Sequence, residues 1–233
     1  MANEFVIFPL SDRIVYPLNP QRWTKEAFDA LVPIRKVHSQ GKPKTYTWND
    51  KVYTFESTAE KRIFIWLTKV LNPQAIKLQS YAISREKPHR HYTPDFQVLL
   101  QDGILLLVEV KSILDHLDPS IQSLYSLLTT YGKNHGMATL WVDPHRHAFS
   151  SYVNPKTLNM PSLQPFIPAL FQSKQVAKAQ YEQARQLYNP SNDRRKRRKF
   201  DRYFTAYALQ HGYQLNHSYR NGDWTLFQHQ KVA

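Results

Sequence analysis

The chain has 233 residues, room for one large domain or two small ones, and at 42% apolar it can bury a real core. A net charge of +13 and a pI near 9.8 favour a polyanionic partner, nucleic acid first and an anionic membrane surface second. The absence of cysteine excludes disulfides and thiolate metal sites. No apolar run nears the ~18 residues of a membrane span, and the N-terminus has no signal-peptide apolar region, so a cytoplasmic protein is expected.

Residues 1–44 read as an N-terminal arm. Residues 5–8 suggest a short strand, and residues 23–32 a short helix with Phe28, Leu31 and Val32 on one side. Residues 45–55 read as a hairpin turning at Asn49-Asp50, with Tyr46 and Trp48 on one side and Val52 and Tyr53 on the other. A helix then opens near Ser57 and runs to about Leu71, because Ile63, Trp66, Leu67 and Val70 recur at i, i+3, i+4 and i+7. Glu60 lies one turn before Ile63 and Phe64, on the inward side. It fits either a capping box with Ser57 or an acid aimed at a site, with Glu56 as the fallback acid. Asn72-Pro73 ends the helix, and residues 77–83 read as a strand. Residues 85–91 form a charged loop, in which Arg85, Lys87 and Arg90 are either solvated or placed to hold phosphates. His89 and His91 have no further ligand at an obvious spacing.

Residues 96–100 form a short apolar run, Asp102-Gly103 is a hairpin signal, and residues 104–110 form a second, nearly continuous apolar run, expected in mid-sheet. An acid ending such a run needs a cation or an edge. Glu109 and Lys111 are two apart and so share a face, and the turn brings Asp95 beside them. Two carboxylates and a lysine at one sheet end suit a hard divalent cation, Mg²⁺ with Mn²⁺ as a substitute. Such an ion acidifies a water and neutralises phosphate charge, and a lysine assists the attack. Asp95, Glu109 and Lys111 are therefore the candidate residues of a divalent-metal nuclease.

Further on, residues 112–118 read as a loop. Pro119, following Asp118 as cap, starts a helix to about Tyr131 with Ile121, Leu124, Leu127 and Leu128 on its apolar side, closed by Gly132. Residues 138–142 read as another buried strand. The sequence of helix, three strands, helix and strand places a mixed α/β sheet flanked by helices in residues 45–150. Residues 151–170 read as a Pro-rich linker. Residues 171–233 hold 12 Lys and Arg against 4 Asp and Glu. They read as a helix over 171–188, a second helix from Ser191 or Asn192 to His211, and a hairpin at Asn221-Gly222. This layout resembles a winged helix-turn-helix. Its second helix carries Arg194, Arg195, Lys196, Arg197, Arg198 and Lys199, read as DNA-backbone contacts because the flanking aromatic residues argue against a disordered tail.

Pro94-Asp95 and Glu109-Val110-Lys111 resemble the two halves of the PD-(D/E)xK nuclease superfamily. Tyr92-Thr93-Pro94-Asp95-Phe96 and Val108-Glu109-Val110-Lys111 look most like TnsA-like endonuclease subunits of heteromeric transposases, over about residues 45–143. The resemblance implies a restriction-endonuclease-like fold followed by the winged-helix-like domain, and Glu60, in a Ser-x-x-Glu, as the third metal-site acid. It further implies cleavage of double-stranded DNA at transposon ends, together with a DDE-type transposase subunit and an ATPase regulator, in a prokaryotic, nucleoid-associated setting. Gln122 and Tyr125 resemble a Gln-x-x-Tyr that some branches place near DNA. The alternatives are a restriction, repair or phage nuclease of the same superfamily, and a non-catalytic DNA-binding protein on a nuclease scaffold.

Overall fold

The computed structural model describes residues 14–34, 43–84, 91–146, 152, 160–216 and 222–228. They fall into two compact units, one within Ile14–Lys111 and Tyr125–His147, the other within Ser112–Leu124 and Ala148–Ala233. Both mix helices with antiparallel or mixed sheets.

In the first unit, α1 (Lys25–Asp29) is capped by Thr24, whose hydroxyl accepts the Ala27 N–H at 3.1 Å. It is shorter than the expected 23–32. Val32 precedes Pro33, which disfavours helical backbone, and is 70% exposed instead of sharing the apolar side with Phe28. Strands β1 (Lys44–Trp48) and β2 (Lys51–Phe55) pair antiparallel, with Trp48 opposite Lys51. The turn residues Asn49 and Asp50 have φ of 47° and 59°, as a two-residue hairpin of the observed twist requires. Helix α2 (Thr58–Leu71) begins at Ser57, whose Oγ accepts the Glu60 N–H at 3.0 Å, and closes on Asn72 in the left-handed region. Its Phe64 ring packs 4.6 Å from Tyr53, 5.1 Å from Phe55 and 6.1 Å from Phe96, fixing the helix against hairpin and sheet.

Five strands follow: β3 (Ala75–Leu78), β4 (Ile83–Ser84), β5 (His91–Tyr92), β6 (Phe96–Leu99) and β7 (Leu105–Val110). The strand expected over 77–83 is therefore two. The chain leaves the sheet at Gln79, in left-handed conformation at φ 47°, where its N–H turns to the Asp95 carbonyl at 3.2 Å. β4 then pairs with β5 instead. Asp102-Gly103 makes the β6–β7 turn as expected, although only Gly103 has positive φ. Asp102 instead accepts the Ile104 N–H through Oδ1 at 3.1 Å.

Helix α3 (Pro119–Asn134) leads to β8 (Ala138–Val142), and its residues divide between the two units after Leu124. It does not close at Gly132. A Cβ there would meet the Thr139 side chain and stand 2.9 Å from the Met137 carbonyl, so glycine serves close packing. The left-handed closure comes at Gly136, with the Met137 N–H on the Gly132 carbonyl at 2.8 Å. The main sheet runs β3-β6-β7-β8, antiparallel at the first two junctions and parallel at the last.

The second unit holds a short 3-10 turn at Leu114–Leu117, where a loop was expected. It continues with α4 (Ile167–Leu170), β9 (Gln175–Ala177), α5 (Lys178–Tyr188), α6 (Arg194–Gln210), β10 (Tyr213–Leu215) and β11 (Thr225–Gln228). The helix expected from 171 starts only at Lys178. β11 takes residues 175–177 into an antiparallel sheet of order β10-β11-β9, which buries Val176 completely. Tyr181, Phe200, Phe204, Trp224 and Leu226 form the core with it. Met160, Leu163 and Ile167, from the stretch read as linker, are buried there too, as is Leu117.

Candidate functional site

The register of β6 and β7 builds the site. Phe96 lies opposite Val108, so Asp95 arrives beside Glu109 and Val110. The Val110 N–H donates to Asp95 Oδ2 at 2.8 Å. Glu109, the fifth residue of a strand whose first four are apolar, is only 2% exposed. Lys111, two residues on, turns to the same face and ion-pairs through Nζ with Glu109 Oε1. Lys111 is anchored by its own N–H on the Val142 carbonyl at 3.0 Å, and its ammonium stands 6.0 Å from the Trp141 ring centroid.

The electrostatics are those of crowded acids. Burial, then the neighbouring Glu109 carboxylate, push the Asp95 pKa well above the ordinary range. Glu60 acts in the same sense, and Lys111 and the Val110 N–H act against it. Glu60 is also raised, first by burial, with Glu56 and Glu109 adding to it and the Ser57 and Glu56 hydrogen bonds opposing it.

Glu60 realises the capping reading in part: Ser57 caps its N–H, but its carboxylate takes the N–H of Glu56, one residue before the cap, and not that of Ser57 as a full capping box would. Its Oε1 accepts the Ser57 hydroxyl at 2.7 Å and its Oε2 the Glu56 N–H at 3.2 Å. It lies near enough to Asp95 to raise that carboxyl's proton affinity and near enough to Glu109 to have its own raised, yet among the described residues no three acidic or histidine side chains gather into a cation-binding group.

A hard divalent cation fits what is there in one respect. Glu109 Oε2 is buried with no hydrogen-bond partner among the described residues, a costly state for a carboxylate oxygen unless something positive meets it. Two carboxylates and no sulfur or imidazole make an oxygen-donor set suited to Mg²⁺ or Mn²⁺, which keep several waters.

Other expected residues fare differently. Arg85, Lys87 and Arg90 lie outside the described residues, as does His89. His91 is exposed on β5. Gln122 is spent within its own unit, donating to the His116 carbonyl and accepting from Gln214, both at 3.0 Å. Tyr125 packs edge-on to Trp141 at 5.6 Å.

Arg194 to Arg198 are exposed on the first turns of α6, with Lys199 partly buried. Among the described residues Arg194–Arg198 form no salt bridge. Asp193 caps the helix, accepting the N–H groups of Arg195 at 2.7 Å and Lys196 at 2.9 Å. No acid stands in the first turn. Six cations thus crowd the end of the helix where the macrodipole is already positive, and Phe200, Tyr203, Phe204 and Ala208 on the buried side hold the helix in place.

Sequence reasoning missed Gln97. It is wholly buried in β6 between apolar neighbours. Its Nε2 donates to the Pro94 carbonyl at 3.0 Å and its Oε1 accepts the Ser80 N–H at 2.6 Å. The one available signal was a polar residue interrupting the apolar run after Phe96.

Compared with family models, curated proteins and solved structures, the chain matches none.

Proposed function

We propose that the chain is a Mg²⁺-dependent DNA endonuclease of the PD-(D/E)xK type, acting as the TnsA-like subunit of a heteromeric transposase. The observation that carries this reading is the convergence of Asp95, Glu109 and Lys111 at one end of the β6–β7 hairpin, with a buried oxygen on Glu109 that has no hydrogen-bond partner among the described residues. Helix α2, three antiparallel strands, α3 and a parallel strand follow the order that the resemblance implies for the catalytic core. In the second unit, β9, two helices and the β10–β11 hairpin, with β9 on β11, support the winged-helix reading, α6 being the helix offered to DNA.

Asp95 and Glu109 would hold the cation, whose chemistry there would be a more acidic water and neutralised phosphate charge. Lys111, now paired with Glu109 Oε1, is placed to orient the attacking water and to offset the negative charge that develops on the phosphate oxygens. Glu60 leaves its cap to join the carboxylates or stays as the cap that fixes the start of α2. Arg194–Lys199 grip backbone phosphates without reading sequence. The partners are double-stranded DNA, a DDE-type transposase subunit and an ATPase regulator.

The experiment is nicking of supercoiled plasmid and of transposon-end DNA in Mg²⁺ or Mn²⁺, with and without the transposase subunit. Wild type is run beside Asp95→Ala and Lys111→Ala. Metal-dependent nicking that both variants lose supports the nuclease. Cutting only with the partner present supports the transposase assignment over a restriction, repair or phage enzyme. A second reading, a DNA-binding protein on a nuclease scaffold, is favoured by the capping hydrogen bonds that hold Glu60. DNA binding without cleavage in every condition would establish it.

A further inference from the structure

We infer that Gln97, with the bend at Gln79-Ser80, is a clamp that positions Asp95 for metal binding. This rests on the nuclease reading of the same site. Asp95 is flanked by two carbonyls, and both are held. The carbonyl of the Pro94–Asp95 peptide accepts from Gln97 Nε2 at 3.0 Å, and the Asp95 carbonyl accepts from the Gln79 N–H at 3.2 Å. Gln97 reaches the same bend from its other end, taking the Ser80 N–H on Oε1 at 2.6 Å, while Ser80 Oγ closes the bend on the Leu78 carbonyl at 2.8 Å. With the Val110 N–H on Oδ2, the residue is fixed on backbone and side chain alike.

The fold accepts three local costs to build this arrangement. A primary amide is wholly buried in an otherwise apolar strand, where a polar group is tolerated only if bonded. Gln79, not a glycine, adopts φ 47°, a region that side chains disfavour. Its Oε1 is buried without a hydrogen-bond partner among the described residues. A leucine at 97 would avoid the first of these, but would leave the Pro94 carbonyl and the Ser80 N–H without the partner that ties them together. Strain and buried polarity that meet on one residue's two flanking carbonyls point to a requirement on where that residue's carboxylate sits. Proline at 94 cannot donate a backbone hydrogen bond, which leaves its carbonyl as the group for the clamp to take.

The test is Gln97→Met, which keeps the size of the side chain and removes both hydrogen bonds. It is compared with Val98→Ala, a cavity variant in the same strand that touches no polar group of the site. Mn²⁺ binding is followed by electron paramagnetic resonance on the full chain, independently of cleavage, and melting temperatures are measured in parallel. Gln97→Met is expected to weaken Mn²⁺ binding about tenfold or more, as loss of an outer-shell partner does, and to recover nicking toward the wild-type rate as Mn²⁺ is raised. Val98→Ala lowers the melting temperature but leaves Mn²⁺ affinity as in wild type. Should Gln97→Met not fold, Gln97→Asn, which keeps the amide but shortens its reach, decides by the same readout with a smaller loss. Equal weakening in the Gln97 and Val98 variants, or wild-type affinity in the Gln97 variants, overturns the clamp. Wild type that binds no Mn²⁺ at all overturns the metal-site reading itself, and the clamp with it.

Discussion

The carboxylate end of the β6–β7 hairpin and the first turns of α6 treat charge in opposite ways. At the hairpin, few charges of unlike sign are buried or half-buried, and each has a fixed neighbour: Asp95 on the Val110 N–H, Lys111 on Glu109. On α6, cations of like sign stand in solvent with only their helix cap arranged. Burial makes each charge strong and each misplacement costly. Exposure makes each charge weak, so effect comes from number. Chemistry on one phosphate needs the first arrangement, and holding a long polyanion needs the second.

Substitution at Asp95 gives the largest expected effect. Asp95→Asn should lower metal-dependent nicking by about 10³-fold or more, roughly 4 kcal/mol of barrier, in the plasmid assay. The same change should raise the metal-free melting temperature at pH 8. The Asp95 carboxyl is raised in the folded state, so the folded chain holds a proton that the unfolded chain releases. Stability therefore falls as pH rises from about 4, the ordinary carboxylate value, through the raised folded value. Asparagine removes that loss, still accepts the Val110 N–H, and gives no gain below pH 4. For the same reason Mn²⁺ should stabilise wild type more at pH 8 than at pH 5 in thermal melts. A melting temperature for Asp95→Asn below that of wild type at pH 8 would break the account of crowded acids.

Lys111→Ala comes next. It leaves Glu109 buried beside Asp95 without its cation, at a cost of about 1–3 kcal/mol in urea unfolding, and it abolishes nicking. Adding Mn²⁺ should restore much of the lost stability but not the cleavage. On the other side of the comparison, replacing Arg194, Arg195 and Arg197 together by Ala should lower the slope of log affinity against log salt by about 2–3. Mn²⁺ affinity and melting temperature should hardly move. A change in stability comparable to that of Lys111→Ala would show that these cations are structural. The smallest effect is expected for Ser57→Ala, which removes the α2 cap at about 1 kcal/mol. If Glu60 serves as an acid of the site, the same variant also alters the Mn²⁺ titration, and if Glu60 only caps, it does not.

Much of the hairpin end was legible without coordinates because its signals are local. Asp102-Gly103 dictates a turn. The two-residue period places Glu109 and Lys111 together, and counting back from the turn brings Asp95 beside them. α2 was equally legible, since Ser57, Glu60 and Asn72 announce its ends chemically. The break at Gln79 was not, because nothing in that residue's own chemistry favours a left-handed backbone. It falls where the chain leaves the β3–β6 register, just after the pairing of Leu78 with Phe96 and beside the bond to the Asp95 carbonyl, a partner sixteen residues away in sequence and adjacent only once the sheet is formed.

The chain's own residues, through period, turn chemistry, capping and charge, determined where α2, the β6–β7 hairpin and the basic helix lie and which faces they offer. Tertiary structure alone decided the rest. β11 drew residues 175–177 from a helical pattern into a sheet, and the approach of Thr139 and Met137 made Gly132 a packing residue within α3. A buried glutamine became the tie on Asp95. In each case the deciding partner is distant along the chain. The free energy of burial and backbone pairing between such partners exceeds the few tenths of a kcal/mol by which local propensities differ.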